Sequence, residues 1–113
     1  MEDYSLTILG CSSATPNSQR FPSAQLLHFL GKYFLLDCGE GAQMQMRRAK
    51  VPFDNLSAIF ISHLHGDHYF GIFGLLASMN LFGRKKHLKI YAPEGLEELI
   101  RFQFRDQELL FPL

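Results

Sequence analysis

Apolar positions along this chain fall into two alternating kinds of spacing. Tyr4–Leu9, with Thr7 and Ile8 β-branched, reads as a first strand, closed by Gly10-Cys11-Ser12-Ser13-Ala14-Thr15-Pro16. That small, hydroxyl-rich stretch is either a loop lining a site or a plain polar turn, and Asn17–Arg20 continues it. Ser23–Phe29 and Tyr33–Leu36 read as two strands of a hairpin, with Gly31-Lys32 as its two-residue turn. A helix is expected over Ala42–Ala49, limited by Pro52, then a turn at Asp54–Ser57 and a short apolar strand, Ala58–Ser62.

The second half repeats the alternation. Tyr69–Phe82 is apolar all round (Tyr69, Phe70, Ile72, Phe73, Leu75, Leu76, Met79), which predicts one buried helix whose Gly71 and Gly74 let its backbone lie close to the sheet. Its N-terminus falls at the histidine-rich stretch before it, where the helix dipole favours anionic oxygens. Gly83–His87 is a basic turn, and Leu88–Tyr91 is a strand closed by Ala92-Pro93. Glu94–Gln107 then carries Leu96, Leu99, Ile100 and Phe104 on one amphipathic stripe. Strands alternating with helices place the chain in the α/β class.

Composition adds bounds. A length of 113 residues allows one domain at most, and 47% apolar content supports a real core. Eleven basic and eleven acidic side chains cancel, so general attraction to nucleic acid is not signalled, although a local patch remains open. Two small basic runs are candidates: Arg47-Arg48, followed by Lys50, and Arg84-Lys85-Lys86. Each is either a solvated surface or an RNA-backbone contact. Cys11 and Cys38 are too few for a disulfide framework, and no charged-then-apolar leader opens the chain. The apolar run at 69–82 is too short to span a bilayer. A cytoplasmic protein is the expectation.

The chemistry concentrates in His63-Leu64-His65-Gly66-Asp67-His68, which follows the run Ala58-Ile59-Phe60-Ile61 and holds three of the five histidines. Imidazole and carboxylate are ligands that suit zinc and its neighbours. His63 and His65, two apart, point to one side of an extended segment. Gly66 permits a turn after which Asp67 and His68 can face a second position. Two offset ligand pairs fit a two-metal hydrolase site. Asp37 ends a strand before Cys38-Gly39-Glu40-Gly41, where it either supports a metal-bound imidazole or caps the following helix. His28 lies among apolar neighbours and reads as structural, and His87, in the basic turn, is not counted as a ligand.

Three motifs together resemble ribonuclease Z of the metallo-β-lactamase superfamily: Leu9–Pro16, Asp37-Cys38-Gly39-Glu40-Gly41-Ala42-Gln43, and Ser62–His68. A weaker fourth is Tyr91-Ala92-Pro93-Glu94-Gly95-Leu96, and Cys11 stands where the family more usually has threonine. The resemblance implies a metallo-β-lactamase-type αβ/βα sandwich of mixed sheets with outer helices, of which residues 1–113 form the N-terminal portion of a single domain. It implies two zinc ions per complete subunit, one held by His63 and His65 and one by Asp67 and His68. Asp67 is also the family's catalytic proton acceptor. Manganese or iron suit the same donors. It further implies a homodimer that cuts precursor tRNA after the discriminator base, with no membrane partner.

The family's remaining ligands and its tRNA-gripping arm are expected beyond residue 113. Two other readings stand beside this one. A hydrolase of the same fold acting on a thioester or small phosphodiester shares every ligand here. Were the chain complete as given, the apolar run Leu109-Leu110-Phe111-Pro112-Leu113 would point to a non-catalytic half-domain with an open edge.

Overall fold

The computed structural model of the protein describes residues 4–10, 23–64 and 66–105. Strands β1 (Tyr4–Gly10), β2 (Ala24–Phe29), β3 (Lys32–Leu36), β4 (Leu56–Phe60) and β5 (Lys89–Tyr91) form one mixed sheet in that order. The first three run antiparallel, while β3, β4 and β5 are parallel. Parallel neighbours need long crossovers. Helix α1 (Ala42–Arg48) lies in the crossover from β3 to β4, and α2 (Gly66–Tyr69) and α3 (Ile72–Leu81) lie in that from β4 to β5. Helix α4 (Leu96–Gln103) follows β5. The expected cysteine- and serine-rich loop over 11–20 and the apolar run 109–113 lie outside the described residues.

The period-2 alternation of strands sorts the two faces of this sheet. One cross-strand row is Leu26, Leu35, Ile59 and Ile90. It packs into a core with Met46 of α1, Ile72, Leu75, Leu76 and Met79 of α3, and Leu96 and Ile100 of α4. The neighbouring row, Ile8, Gln25, Leu36, Phe60 and Tyr91, points the other way. There Leu6, Ile8, Phe60 and Tyr91 are exposed, and the Phe60 and Tyr91 rings stack with centroids 4.9 Å apart. A sheet with helices on one face and apolar side chains uncovered on the other, among the described residues, has the form of one half of a sandwich. Among those residues no helix is long and apolar enough to cross a membrane.

Several sequence expectations are corrected. The single helix over 69–82 is two helices, because Gly71 sits against the loop after β3. Its amide donates to the Cys38 carbonyl at 2.9 Å, and a Cβ there would collide with the Gly39 carbonyl oxygen. The longer helix therefore starts at Ile72, past the histidine motif, and its dipole does not begin there. Nor is it buried all round, since Phe70, Leu81 and Phe82 are exposed. In α4 the stripe is Leu96, Ile100 and Phe104, with Leu99 exposed.

The hairpin turn is displaced by one residue. Phe29 pairs with Lys32, which leaves Leu30-Gly31 as the loop, with φ of 52° and 80°. Two consecutive positive φ values are what the twist of a two-residue hairpin favours. The expected Gly31-Lys32 turn used the glycine correctly but put a lysine where the backbone needs no left-handed residue. His28 stacks on Tyr33 across this hairpin at 4.2 Å, as a structural histidine.

Two predictions follow from these backbone positions. Leu30 is 63% exposed and left-handed, so Leu30→Asn should raise unfolding stability by about 1 kcal/mol, the usual cost of a branched residue there. Urea unfolding of the two proteins measures it, and an unchanged midpoint would contradict the turn geometry. Gly71→Ala should lower stability by about 1–3 kcal/mol, because backbone rather than a flexible side chain must yield. The same titration reads that loss.

Candidate functional site

The motif stretch leaves the sheet at the C-terminal end of β4, beside the C-terminal end of β3, where Leu36 pairs with Phe60. Sites gather at this end of parallel strands because successive chain turns converge there. Asp37 is the next residue after β3 and takes a left-handed conformation, φ 62°. Aspartate tolerates that region better than most side chains. Its amide donates to the Phe60 carbonyl at 2.6 Å, and this turn aims the carboxylate across the end of β4.

What the carboxylate meets decides its role. Oδ1 accepts from the Ser62 amide at 2.8 Å and the Ser62 hydroxyl at 3.0 Å. Oδ2 lies 2.8 Å from His68 Nδ1, 3.1 Å from the Ser62 hydroxyl and 3.4 Å from the Ser23 hydroxyl, a long contact. Helix α1 instead begins from Gly41 with no side-chain cap, so Asp37 is not its cap. Burial pushes the Asp37 carboxyl up. The bonds from the Ser62 amide, His68 and the Ser62 hydroxyl, with the attraction of His68, outweigh it and hold the group below its ordinary value.

The histidines are held from both sides. With the Asp37 carboxylate accepting, His68 Nδ1 carries a proton, so in the neutral ring the lone pair is on Nε2. The His68 carbonyl accepts from the Cys38 amide at 2.7 Å, so backbone and ring are both fixed by the β3–α1 loop. His63 Nδ1 lies 3.0 Å from the Ser62 hydroxyl, and the His63 and His68 rings sit 3.8 Å apart, centroid to centroid. His65 and the Asp67 side chain lie outside the described residues. Among the described residues alone, no three of His, Cys, Asp and Glu form a metal-holding group. The Cys38 thiol is fully buried, and burial followed by the charge of Asp37 pushes its pKa far up, which keeps it an inert thiol.

The basic candidates lie elsewhere. Arg84-Lys85-Lys86 precede β5, at the opposite end of the parallel strands from His63. Arg47 and Arg48 end α1, with Arg47 over the Phe82 ring at 5.5 Å. Arg84 is a correction. Only 2% exposed, it donates to the carbonyls of Phe53, Lys86 and His87 at 2.6, 3.0 and 2.8 Å. Burial lowers its pKa and Asp54 opposes that. Bonded to three backbone carbonyls, the buried guanidinium ties the loop before β4 to the loop before β5 and presents almost no surface to an RNA phosphate. Arg47, Arg48, Lys85 and Lys86 remain exposed.

The sequence reading missed Ser62 and Ser23. Ser62 stands next to the first histidine, inside the motif, which is a usable signal. Ser23 gave none, because its approach to Asp37 depends on how β2 enters the sheet.

Comparison with known proteins follows the same outline. Residues 4–105 match the family model described as Anti-Pycsar protein Apyc1. The chain belongs to that family. A protein of Bacteroides fragilis named ribonuclease Z is 51% identical over 100 residues, covering 88% of this chain and 33% of that protein. The crystal structure of human tRNase Z, short form, superposes with a TM-score of 0.84 at 37% identity, over 95% of this chain and 42% of that one. The metallo-β-lactamase fold protein YhfI from Bacillus subtilis matches in fold, with a TM-score of 0.75 at 24% identity over 96% of this chain and 43% of that one. This chain therefore spans about a third of the length of the curated relatives it matches. The resemblance to ribonuclease Z and the metallo-β-lactamase-type fold are both borne out.

The Asp37 geometry has a measurable pH signature. A carboxyl held below its ordinary value of 3.8 adds stability that is present above that value and is lost as pH falls through the lower native one. Asp37→Asn keeps the left-handed turn but cannot titrate. In metal-stripped protein, wild type should exceed this variant in stability near neutral pH, and the gap should narrow on acidification below pH 3.8. Denaturant unfolding from pH 7 to 2 tests it; a constant gap would show the carboxylate has no favourable partners.

Proposed function

We propose that this chain forms part of a zinc-dependent endoribonuclease that removes the 3′ trailer from precursor tRNA. The observation that carries the proposal is the fixed His63–Ser62–Asp37–His68 cluster, lying in a stretch of sequence half-identical to a protein named ribonuclease Z. The donor chemistry fits a divalent metal: neutral imidazoles whose Nδ1 atoms are engaged by an oxygen present Nε2 as the ligand nitrogen.

On this reading His63 and His65 would hold one zinc, and Asp67 and His68 the other. Bound there, zinc would supply Lewis-acid stabilisation of phosphate charge and an acidified water. The chain's own residues do the rest. Asp67 orients the attacking water and takes its proton. Asp37 keeps the His68 ring in register and in the required tautomer. The general acid for the leaving 3′-oxygen and the remaining ligands come from outside these residues. Manganese or iron would suit the same donors.

Residues 1–113 would then be the N-terminal portion of one domain, whose uncovered sheet face receives the other half of the sandwich. The complete protein would act as a cytoplasmic homodimer. Lys85 and Lys86 precede β5, at the opposite end of the parallel strands from His63, so any contact they make with tRNA would be remote from the cut bond.

In the full-length protein, Asp67→Ala should abolish cleavage of a precursor tRNA with a 3′ trailer, with an unchanged circular dichroism spectrum. Full retained activity would overturn the role of Asp67. Running wild type in parallel on bis(p-nitrophenyl) phosphate and a thioester separates the same-fold rivals. Turnover of the thioester alone would replace the ribonuclease reading.

A further inference from the structure

The Ser62 side chain touches both Asp37 and the first histidine of the motif, and proton counting fixes what it does. Its hydroxyl has a single hydrogen. Its oxygen lies 3.0 and 3.1 Å from the two Asp37 oxygens and 3.0 Å from His63 Nδ1. Suppose the hydrogen pointed at His63. Then the hydroxyl oxygen would face two carboxylate oxygens at contact distance with no proton between them, which is repulsive. The favourable arrangement has Ser62 donating to Asp37 and accepting from His63 Nδ1–H. That places the lone pair of His63 on Nε2, the same nitrogen as in His68.

We propose that Ser62 is a positioning residue that extends the orienting effect of Asp37 to His63. One carboxylate thereby sets the tautomer of an imidazole in each of the two ligand pairs, His68 directly and His63 through a hydroxyl. The backbone reinforces the relay, since the Ser62 amide donates to Asp37 Oδ1 at 2.8 Å and so fixes where the hydroxyl can reach. The inference rests on the proposed metal-ligand role of His63 and His68. It adds a residue with no affinity for the metal itself.

The consequence is selective. Removing the hydroxyl leaves the His68–Asp37 bond in place and takes away the Nδ1 contact that favours one tautomer of His63. Threonine keeps a hydroxyl on the same carbon and should restore the relay. Loss of a group that orients a ligand costs about 10–100-fold in metal affinity.

The test uses the full-length protein as wild type, Ser62→Ala, Ser62→Thr and His63→Ala. Imidazole nitrogen NMR of the zinc-free proteins reads the tautomer. His63 should be Nδ1-protonated in wild type and Ser62→Thr, and shift toward the Nε2-protonated form in Ser62→Ala, while His68 stays unchanged in all three. Zinc competition against a chelator should show about 10–100-fold weaker binding in Ser62→Ala and near-wild-type binding in Ser62→Thr. A wild-type His63 protonated on Nε2, or a Ser62→Ala protein with wild-type tautomer and affinity, would overturn the relay. The underlying ligand reading fails by a different sign: zinc affinity unchanged in His63→Ala, whatever the tautomer spectra show.

Discussion

The loop architecture at the end of this sheet depends on the carboxylate of Asp37. It is the point where three chain segments that are distant in sequence become one structure: the end of β3, the exit from β4, and helix α2. An amide, two hydroxyls and an imidazole converge on its two oxygens. Charge-assisted bonds of this kind are stronger than neutral ones, and their number outweighs the cost of partial burial. The strained left-handed backbone at Asp37 is consistent with that surplus, because such a conformation persists only where surrounding contacts over-determine it.

A second constraint, purely steric, acts alongside. Gly71 must pass close to the Cys38–Gly39 backbone, so the chain cannot run as one helix from the histidine motif into α3. The break gives α2 an orientation of its own, and with it the direction of His68. Hydrogen bonds from the Cys38 amide to His68 and from the Gly71 amide to Cys38 lock the two segments together. Chemistry and packing therefore meet in the same few residues. The loop after β3 is both the roof over the α2–α3 break and the carrier of the carboxylate that orients the imidazole.

Element type and order were legible in the sequence because they rest on local periodicity. Strands β2 to β5 and helices α1 and α4 fall within a few residues of their expected spans. The break at Gly71 was not legible, since its cause is a carbonyl far away in sequence. The turn at Leu30 was missed for a related reason: a leucine with positive φ violates local preference, and only the strand register requires it. Among the candidate residues, Asp37 could be singled out from its place at a strand end. Choosing between helix cap and imidazole partner needed the fold. Arg84 shows the reverse error. Three basic residues in a row look alike in sequence, yet one is a buried staple for two loops and the other two face solvent.

The family model is described as an anti-Pycsar protein while the curated relatives are named ribonuclease Z, and the geometry around Asp37 is compatible with either description. Everything described around Asp37 acts on the imidazoles and not on a substrate. It fixes nitrogen lone pairs and ring directions, which any metal-assisted hydrolysis on this scaffold requires alike. Substrate choice must then come from surfaces that this cluster does not touch. The apolar sheet face bearing Phe60 and Tyr91 is uncovered among the described residues, and the exposed Lys85 and Lys86 lie at the far end of the strands. A site whose orienting contacts are separate from its substrate contacts can keep the former unchanged while the latter diverge. The cluster around Asp37 thus bears on how imidazoles are oriented, and substrate choice is a separate property of the surfaces around it.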